Sequence, residues 1–266
     1  MQEPSAKKSL GQHWLNDETS LNAICDAADV QDGDHVLEIG PGQGSLTNKL
    51  LQCGAHVIAI ELDENLAENL PHHISPHTED GPACSGLEVV QGDILKFDLT
   101  LMPPNYKIVA NIPYYLTSNL LRVICESSNP PAKMALLVQK EVAQRIAASP
   151  GSMSVLSVSV QLYYTAKLGQ IVPAKLFVPP PKVDSQVIGL TLHEEPLFND
   201  LDSKRFFQVV KAGFSGRRKK LRSSLSGGLH ISKDEADKLL ARAKIDGSLR
   251  AQELSLEDWH KICKIL

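Results

Sequence analysis

The chain has 266 residues, enough for one large domain or a large and a small one. With 42% hydrophobic and 22% charged residues its composition is ordinary for a globular protein, which excludes a disordered, collagen-like or disulfide-scaffold chain. The net charge of −4 hides an asymmetry: residues 1–195 hold 12 Lys and Arg against 22 Asp and Glu, and residues 196–266 hold 15 against 9. An acidic body followed by a basic piece predicts two parts with different partners, the basic one suited to nucleic acid.

Residues 2–13 are polar and slightly basic and read as a mobile tail. Met1–Trp14 lacks the apolar core of a signal peptide, and no apolar run reaches the roughly 18–20 residues that span a bilayer. The expected compartment is therefore the cytoplasm, without a membrane partner. Cys25, Cys53, Cys84, Cys125 and Cys263 are scattered and form no CxxC pair, so they read as reduced thiols filling the core.

A helix is expected from Asn16, because Leu21, Ile24, Cys25 and Ala28 repeat at helical spacing behind a cap at Asn16 or Asp17. His35–Ile39 is a short apolar run stopped by Gly-Pro-Gly, a buried strand entering a loop. Ser45–Gln52 reads as helix, Val57–Ile60 as strand and Asp63–Leu70 as helix. Strand alternating with helix predicts a parallel sheet wrapped by helices. Residues 71–86, with Pro71, Pro76, Gly81, Pro82 and Gly86, read as a surface loop. Its His72, His73 and His77 lack a conventional completing ligand, so no metal site is expected. Strands follow at Leu87–Val90, Lys107–Ala110 and Ala135–Val138, with helices at Thr117–Glu126 and Lys140–Ala148. In Ser154–Leu162 the alternation of Val158, Val160 and Leu162 suggests a strand, while the length allows a helix. Pro179–Pro181 is a rigid extended segment, Val183–Leu192 a strand, and Pro196 opens a helical tail. The domain boundary is placed near residue 195, giving domains 1–195 and 196–266.

Four polar features end successive strands. The first is the loop Glu38-Ile-Gly40-Pro-Gly42-Gln-Gly44, where glycines let a ligand approach the backbone and the following helix N-terminus favours a carboxylate or phosphate; a plain tight turn would look the same. Glu61, 21 residues beyond Gly40, ends the second strand, where an acidic side chain can accept both hydroxyls of a nucleotide ribose. Dinucleotide-binding enzymes share this much, which keeps an oxidoreductase open. Asp93 closes the third strand and can accept from an adenine amino group. Asn111-Ile-Pro-Tyr114 ends the fourth, and its bland reading as a loop leaves unexplained why all four features share one edge of the sheet.

Asn-Ile-Pro-Tyr suits methylation of an exocyclic amine. The nitrogen lone pair of an adenine amino group is delocalised into the ring. The Asn111 side-chain oxygen and the Ile112 carbonyl can hold its two N–H bonds and favour a pyramidal nitrogen. Pro113 sets the backbone angle, and Tyr114 can stack on a base that has been unstacked from its strand.

Nearly the whole chain resembles the dimethyladenosine transferases of small-subunit ribosomal RNA, with the large-subunit resistance methylases as cousins. The resemblance runs through Leu10–Leu15, Glu38–Gly44, Ile60–Asp63, Gly92-Asp93, Asn111–Tyr114, Leu137–Glu141, Phe177–Ser185 and Gly213–Arg222. It implies a Rossmann-like seven-stranded mixed sheet with a smaller all-α C-terminal domain, S-adenosylmethionine as cofactor, and a monomer acting on ribosomal RNA in a small-subunit precursor. By position it implies His13, Leu15, Gly40, Gly42, Glu61, Asp93 and Asn111 on the cofactor. It also implies Asn111, Pro113, Tyr114 and Phe177 at the target base. The family usually has Asn-Phe where this chain has His13-Trp14. Phe177 can alternatively be core packing beside a Pro-rich turn.

Ser203–Arg222 holds eight Lys and Arg and no acidic residue. Arg217, Arg218, Lys219, Lys220 and Arg222 are the expected RNA contacts, with a merely solvated surface as the competing reading. The expected reaction is N6,N6-dimethylation of two adjacent adenosines in small-subunit ribosomal RNA. The alternatives are a large-subunit adenine methylase, a non-catalytic assembly or transcription factor, and a small-molecule methyltransferase.

Overall fold

The computed structural model describes residue 7 and residues 10–74, 86–216 and 218–266. In chain order the first part contains β1 (Trp14–Leu15), α1 (Glu18–Ala27), β2 (His35–Ile39), α2 (Ser45–Gln52), β3 (His56–Glu61), α3 (Glu64–His73), β4 (Leu87–Gln91), β5 (Lys107–Asn111), α4 (Thr117–Cys125) and β6 (Lys133–Gln139). It continues through α5 (Lys140–Ile146), α6 (Val155–Gln161), β7 (Tyr164–Val172), β8 (Phe177–Val178) and β9 (Ser185–Leu192). The tail holds α7 (Ser203–Gly213), α8 (Leu221–Leu229), α9 (Lys233–Ala243) and α10 (Leu256–Ile265).

Seven strands form one mixed sheet in the order β4-β3-β2-β5-β6-β9-β7. The first five are parallel, and β9 runs antiparallel to both neighbours. The central strands are covered on both faces and read as unbroken apolar runs: Ile108–Ala110 and Met134–Val138 are wholly buried. The expected seven-stranded mixed sheet is therefore present. β1 and β8 make a separate two-stranded ladder, Leu15 opposite Phe177.

Local chemistry sets the element ends. Asp17 caps α1, accepting from the Ser20 amide at 2.9 Å, and Asp63 caps α3. α3 runs three residues beyond the expected end at Leu70 and carries Pro71 inside it, so His72 and His73 are helical, not loop. The reason is burial: Leu70 and Ile74 are in the core and pack onto Gly44. A Cβ at Gly44 would lie 2.8 Å from the Leu70 side chain, and φ there is +87°. Only glycine satisfies both demands. The remainder of the expected loop, residues 75–85 with His77 and Cys84, lies outside the described residues, as do residues 2–6, 8 and 9 of the expected tail.

The chain divides into two compact units, residues 1–143 with 164–192, and residues 144–163 with 193–266. The expected single cut near residue 195 thus corresponds to the second junction alone, and residues 144–163 leave the sheet domain. Ser154–Leu162 explains why. Ser154 and Ser157 form a capping box that starts α6. Val158 and Leu162, one helical turn apart, join the apolar cluster of Phe206, Leu221 and Trp259. A helix with Val158, Val160 and Leu162 all buried mimics strand alternation when only every second residue is read. The second unit is otherwise helical through α7–α10. No described helix is long and apolar enough to cross a membrane.

Candidate active site

The direction of sheet growth reverses at β2. β3 and β4 are added on one side of it, and β5, β6 and the closing hairpin on the other. Open α/β sheets bind ligands in the crevice beyond the carboxyl ends of their strands at such a reversal. A pocket occupies that place. Its wall comes from the glycine loop after β2, the end of β3, the turn after β4, the end of β5 and the N-terminal segment 10–15.

Of the residues picked from sequence, His13, Leu15, Gly40, Gly42, Glu61, Asp93, Asn111, Pro113 and Tyr114 all line this pocket. Glu61 is 6% exposed. Its carboxylate accepts from the Asp63 amide at 2.9 Å and from the Gly42 amide at 3.2 Å, tying the glycine loop to the end of β3. Burial raises its pKa, and those backbone amides offset part of the rise. Asp93 accepts from the Leu95 amide at 3.0 Å, which starts a short turn and leaves the carboxylate half-buried at the pocket edge. The Asn111 side-chain amide donates to the His13 carbonyl at 3.2 Å, so the amide nitrogen is engaged and its oxygen remains as acceptor. The Tyr114 and Ser185 hydroxyls hydrogen-bond at 2.7 Å, and the Tyr114 ring stacks on His13 at 6.1 Å.

Residues 10–16, together with Lys7, form a strap at the pocket. The Lys7 ammonium pairs with the buried Asp63 carboxylate at 2.6 Å. Burial pushes the Asp63 carboxyl up, but Lys7 and the hydrogen bonds from Asn65 and Gln12 bring it below the usual range. His13 Nδ1–H donates to the Pro179 carbonyl at 2.6 Å, and the Ser45 hydroxyl donates to the Asn16 side chain at 2.6 Å. Trp14 lies against Gly42. His13 thus holds the strap through its ring, its carbonyl and its stack on Tyr114.

Phe177, expected at the target base, is 2% exposed, faces Leu15 in the β1–β8 ladder and belongs to the main core. The ladder that holds the strap turns its ring inward. The basic segment is also resolved in part. Arg218, Lys219 and Lys220 are exposed in the turn before α8, whereas Arg222 is half-buried and paired with Asp237 of α9 at 2.8 Å. Arg217 lies outside the described residues. Among the described residues no group of three or more His, Cys, Asp or Glu side chains converges as a metal site would require.

The pocket residues not picked from sequence include Glu38, Trp14 and Tyr115. Glu38 had a signal, since a carboxylate in an otherwise apolar central strand demands a reason. It is 1% exposed, and neither oxygen has a hydrogen-bond partner among the described residues. Burial pushes its carboxyl up to about 8; the nearby Thr47 hydroxyl opposes that rise, and the Glu61 charge adds to it. Glu38 thus keeps its proton well above the usual carboxylate range. The unfolded chain loses this proton near 4.5, so between there and about 8 the native state binds more protons and stability falls as pH rises. Glu38→Gln removes the titration. Its melting temperature should match wild type near the lower limit and exceed it increasingly toward the upper one, as thermal melts across that range will show.

The strand order, the glycine loop with its acidic partner on the next strand, and the Asn-Ile-Pro-Tyr turn together define an α/β methyltransferase. A family model described as Ribosomal RNA adenine dimethylase matches residues 4–266. The chain belongs to that family and is an rRNA adenine dimethyltransferase. It is 40% identical over 261 residues to Ribosomal RNA small subunit methyltransferase A of Dehalococcoides mccartyi (strain CBDB1), covering 97% of this chain and 87% of that protein. Among solved structures it resembles a dimethyladenosine transferase from Plasmodium falciparum, with 26% identity, a TM-score of 0.78, and 94% and 96% of the two chains covered. It also resembles the 23S rRNA methyltransferase ErmE, with 27% identity, a TM-score of 0.75, and 95% and 99% covered.

Proposed function

We propose that this enzyme uses S-adenosylmethionine to dimethylate N6 of two adjacent adenosines near the 3′ end of small-subunit ribosomal RNA, acting as a cytoplasmic monomer on a precursor of the small subunit. The observation that carries the reading is the Asn111–Tyr114 turn, set beside the glycine loop with its acceptor oxygen turned away from the strap. The two solved folds, a dimethyladenosine transferase and a 23S rRNA methyltransferase, are nearly equally similar to this chain. Sequence separates the readings, since the relative at 40% identity is named for the small subunit.

The residues present fit the cofactor. A buried carboxyl with no hydrogen-bond partner among the described residues, Glu38, stands in the wall as an orphaned polar group that a bound ligand can satisfy. Glu61 and Asp93 end adjacent strands as acceptors for ribose hydroxyls and an adenine amine, and Gly40 and Gly42 keep the loop low. His13 and Leu15 roof the pocket from the strap. The cofactor supplies an electrophilic methyl on a sulfonium. The protein supplies orientation: Asn111 and the Ile112 carbonyl hold the target amine, Pro113 sets their spacing, and Tyr114 offers its ring to the base. No side chain need remove the proton before transfer, because the cationic product nitrogen loses it readily. Catalysis is positioning plus electrostatics. Incubation with labelled S-adenosylmethionine and unmethylated small subunits, followed by nucleoside analysis, should yield N6,N6-dimethyladenosine. Label confined to large subunits would transfer the enzyme to the other class.

The basic turn before α8 serves phosphate contact. Each phosphate neutralised on a single-stranded or loop target adds about 0.7 to the slope of log affinity against log salt. Reversing Arg218, Lys219 and Lys220 together should weaken binding to small subunits and flatten that slope by about 2, with cofactor affinity unchanged. Titrations at several salt concentrations check this; an unaltered slope assigns the turn to solvation alone.

A further inference from the structure

We propose that Tyr115 is a stacking platform for the RNA base next to the one held in the pocket. The proposal rests on the RNA-methylating function above. Tyr115 is 62% exposed and is the one aromatic among the large exposed apolar side chains of the described residues. It follows Tyr114 in the same short turn, and both line the pocket. The two rings are differently committed. Tyr114 is anchored through its hydroxyl to Ser185 and through its face to His13. Tyr115 is approached by the strap: a Cβ placed on Gly11 would lie 3.5 Å from its ring. Gly11 has φ of +64°, a conformation that suits glycine, so the strap backbone passes close beside the ring and steadies it without covering it.

A nucleotide drawn out of its strand leaves its neighbour unstacked at the pocket mouth. Every base has a π face, so an exposed, steadied aromatic beside the mouth can hold that neighbour whatever its identity. The exposed ring thus replaces the stacking lost when the target is extracted. Tyr115 does not touch the reacting nitrogen in this account; it positions the RNA strand.

The test uses the full-length enzyme loaded with S-adenosylhomocysteine and two RNA hairpins bearing the target adenosines. One carries 2-aminopurine immediately 5′ of the target and the other immediately 3′. Wild type should quench the probe at one of these positions. Tyr115→Ala and Tyr115→Leu should abolish the quenching and raise KM for RNA on the order of tenfold, with kcat little changed. Tyr115→Phe, which keeps the ring, should behave as wild type. Leucine keeps apolar bulk, so loss in that variant separates stacking from simple burial, and melting temperature together with cofactor affinity certifies the fold. Unchanged quenching in the Leu variant, or no quenching at either position with wild type, overturns the platform. A variant that loses cofactor affinity but quenches normally makes Tyr115 part of the cofactor wall and overturns it equally. If wild type methylates no adenosine on small subunits, the underlying function fails instead, an outcome read from nucleosides and not from fluorescence.

Discussion

Asn111→Ala is expected to cut methyl transfer about a hundredfold or more at saturating cofactor, while RNA affinity stays within about twofold. Asn111 ends β5, a strand whose other residues are buried, so its side chain is set by the sheet and not by a loop. Its amide nitrogen is engaged by the His13 carbonyl at 3.2 Å, which leaves the oxygen as the acceptor for an amine. Alanine removes that acceptor and also the tie to the strap, so cofactor affinity must be measured in the same preparation. Tyr114 offers a cleaner division. Tyr114→Phe loses the hydroxyl contact with Ser185, a neutral hydrogen bond worth about 1 kcal/mol, and should keep most activity. Tyr114→Ala loses the ring and should fall with Asn111→Ala. Single-turnover rates decide: if both alanine variants transfer methyl groups at the wild-type rate, the amine is not held here.

Glu61→Ala should weaken S-adenosylmethionine binding by roughly 1.5–3 kcal/mol, the range for hydrogen bonds to a charged group. The loss has two sources. The carboxylate is the expected acceptor for ribose hydroxyls, and it also accepts from Gly42 and Asp63, which hold the glycine loop against β3. Glu61→Gln keeps one carbonyl acceptor and should lose less. Calorimetry measures both. The chain has two tryptophans, Trp14 at the pocket and Trp259 wholly buried in the helical unit, so Trp14 fluorescence gives an independent titration. Unchanged affinity in Glu61→Ala would remove this residue from the cofactor site.

Much of the fold was legible because alternating βα units write a strong signal. Apolar runs of four or five residues, each ended by glycine or a polar turn, located β2 to β6 within about two residues at each end. What failed was local reading of long-range packing. Pro71 argued for a loop, yet Leu70 and Ile74 draw the helix on toward Gly44. β7 escaped notice because it is an edge strand, mostly exposed and broken by a bulge between Leu168 and Ile171, so neither face carries an apolar pattern. Residues 144–163 were assigned by chain order, whereas Val158 and Leu162 follow the apolar cluster that buries them.

The candidate site was legible where chemistry sits at strand ends, as with Glu61, Asp93 and Asn111. It was illegible where a side chain's direction depends on a distant partner. Phe177 and Tyr115 are both aromatic and both near motifs, but the first is turned inward by pairing with the strap and the second is left outside. No spacing rule distinguishes them.

The strap that roofs the pocket also sets a rhythm for the reaction. Repeated transfer demands that a spent cofactor be exchanged between rounds, and the strap beside the pocket is tied down at Lys7, His13 and Asn16. Lifting it withdraws His13 from the face of Tyr114 and Gly11 from the edge of Tyr115, the two rings on the side where a base would rest. On this architecture the ties that hold the strap are also ties to the two rings on the base side, so cofactor exchange and the hold on RNA draw on the same contacts.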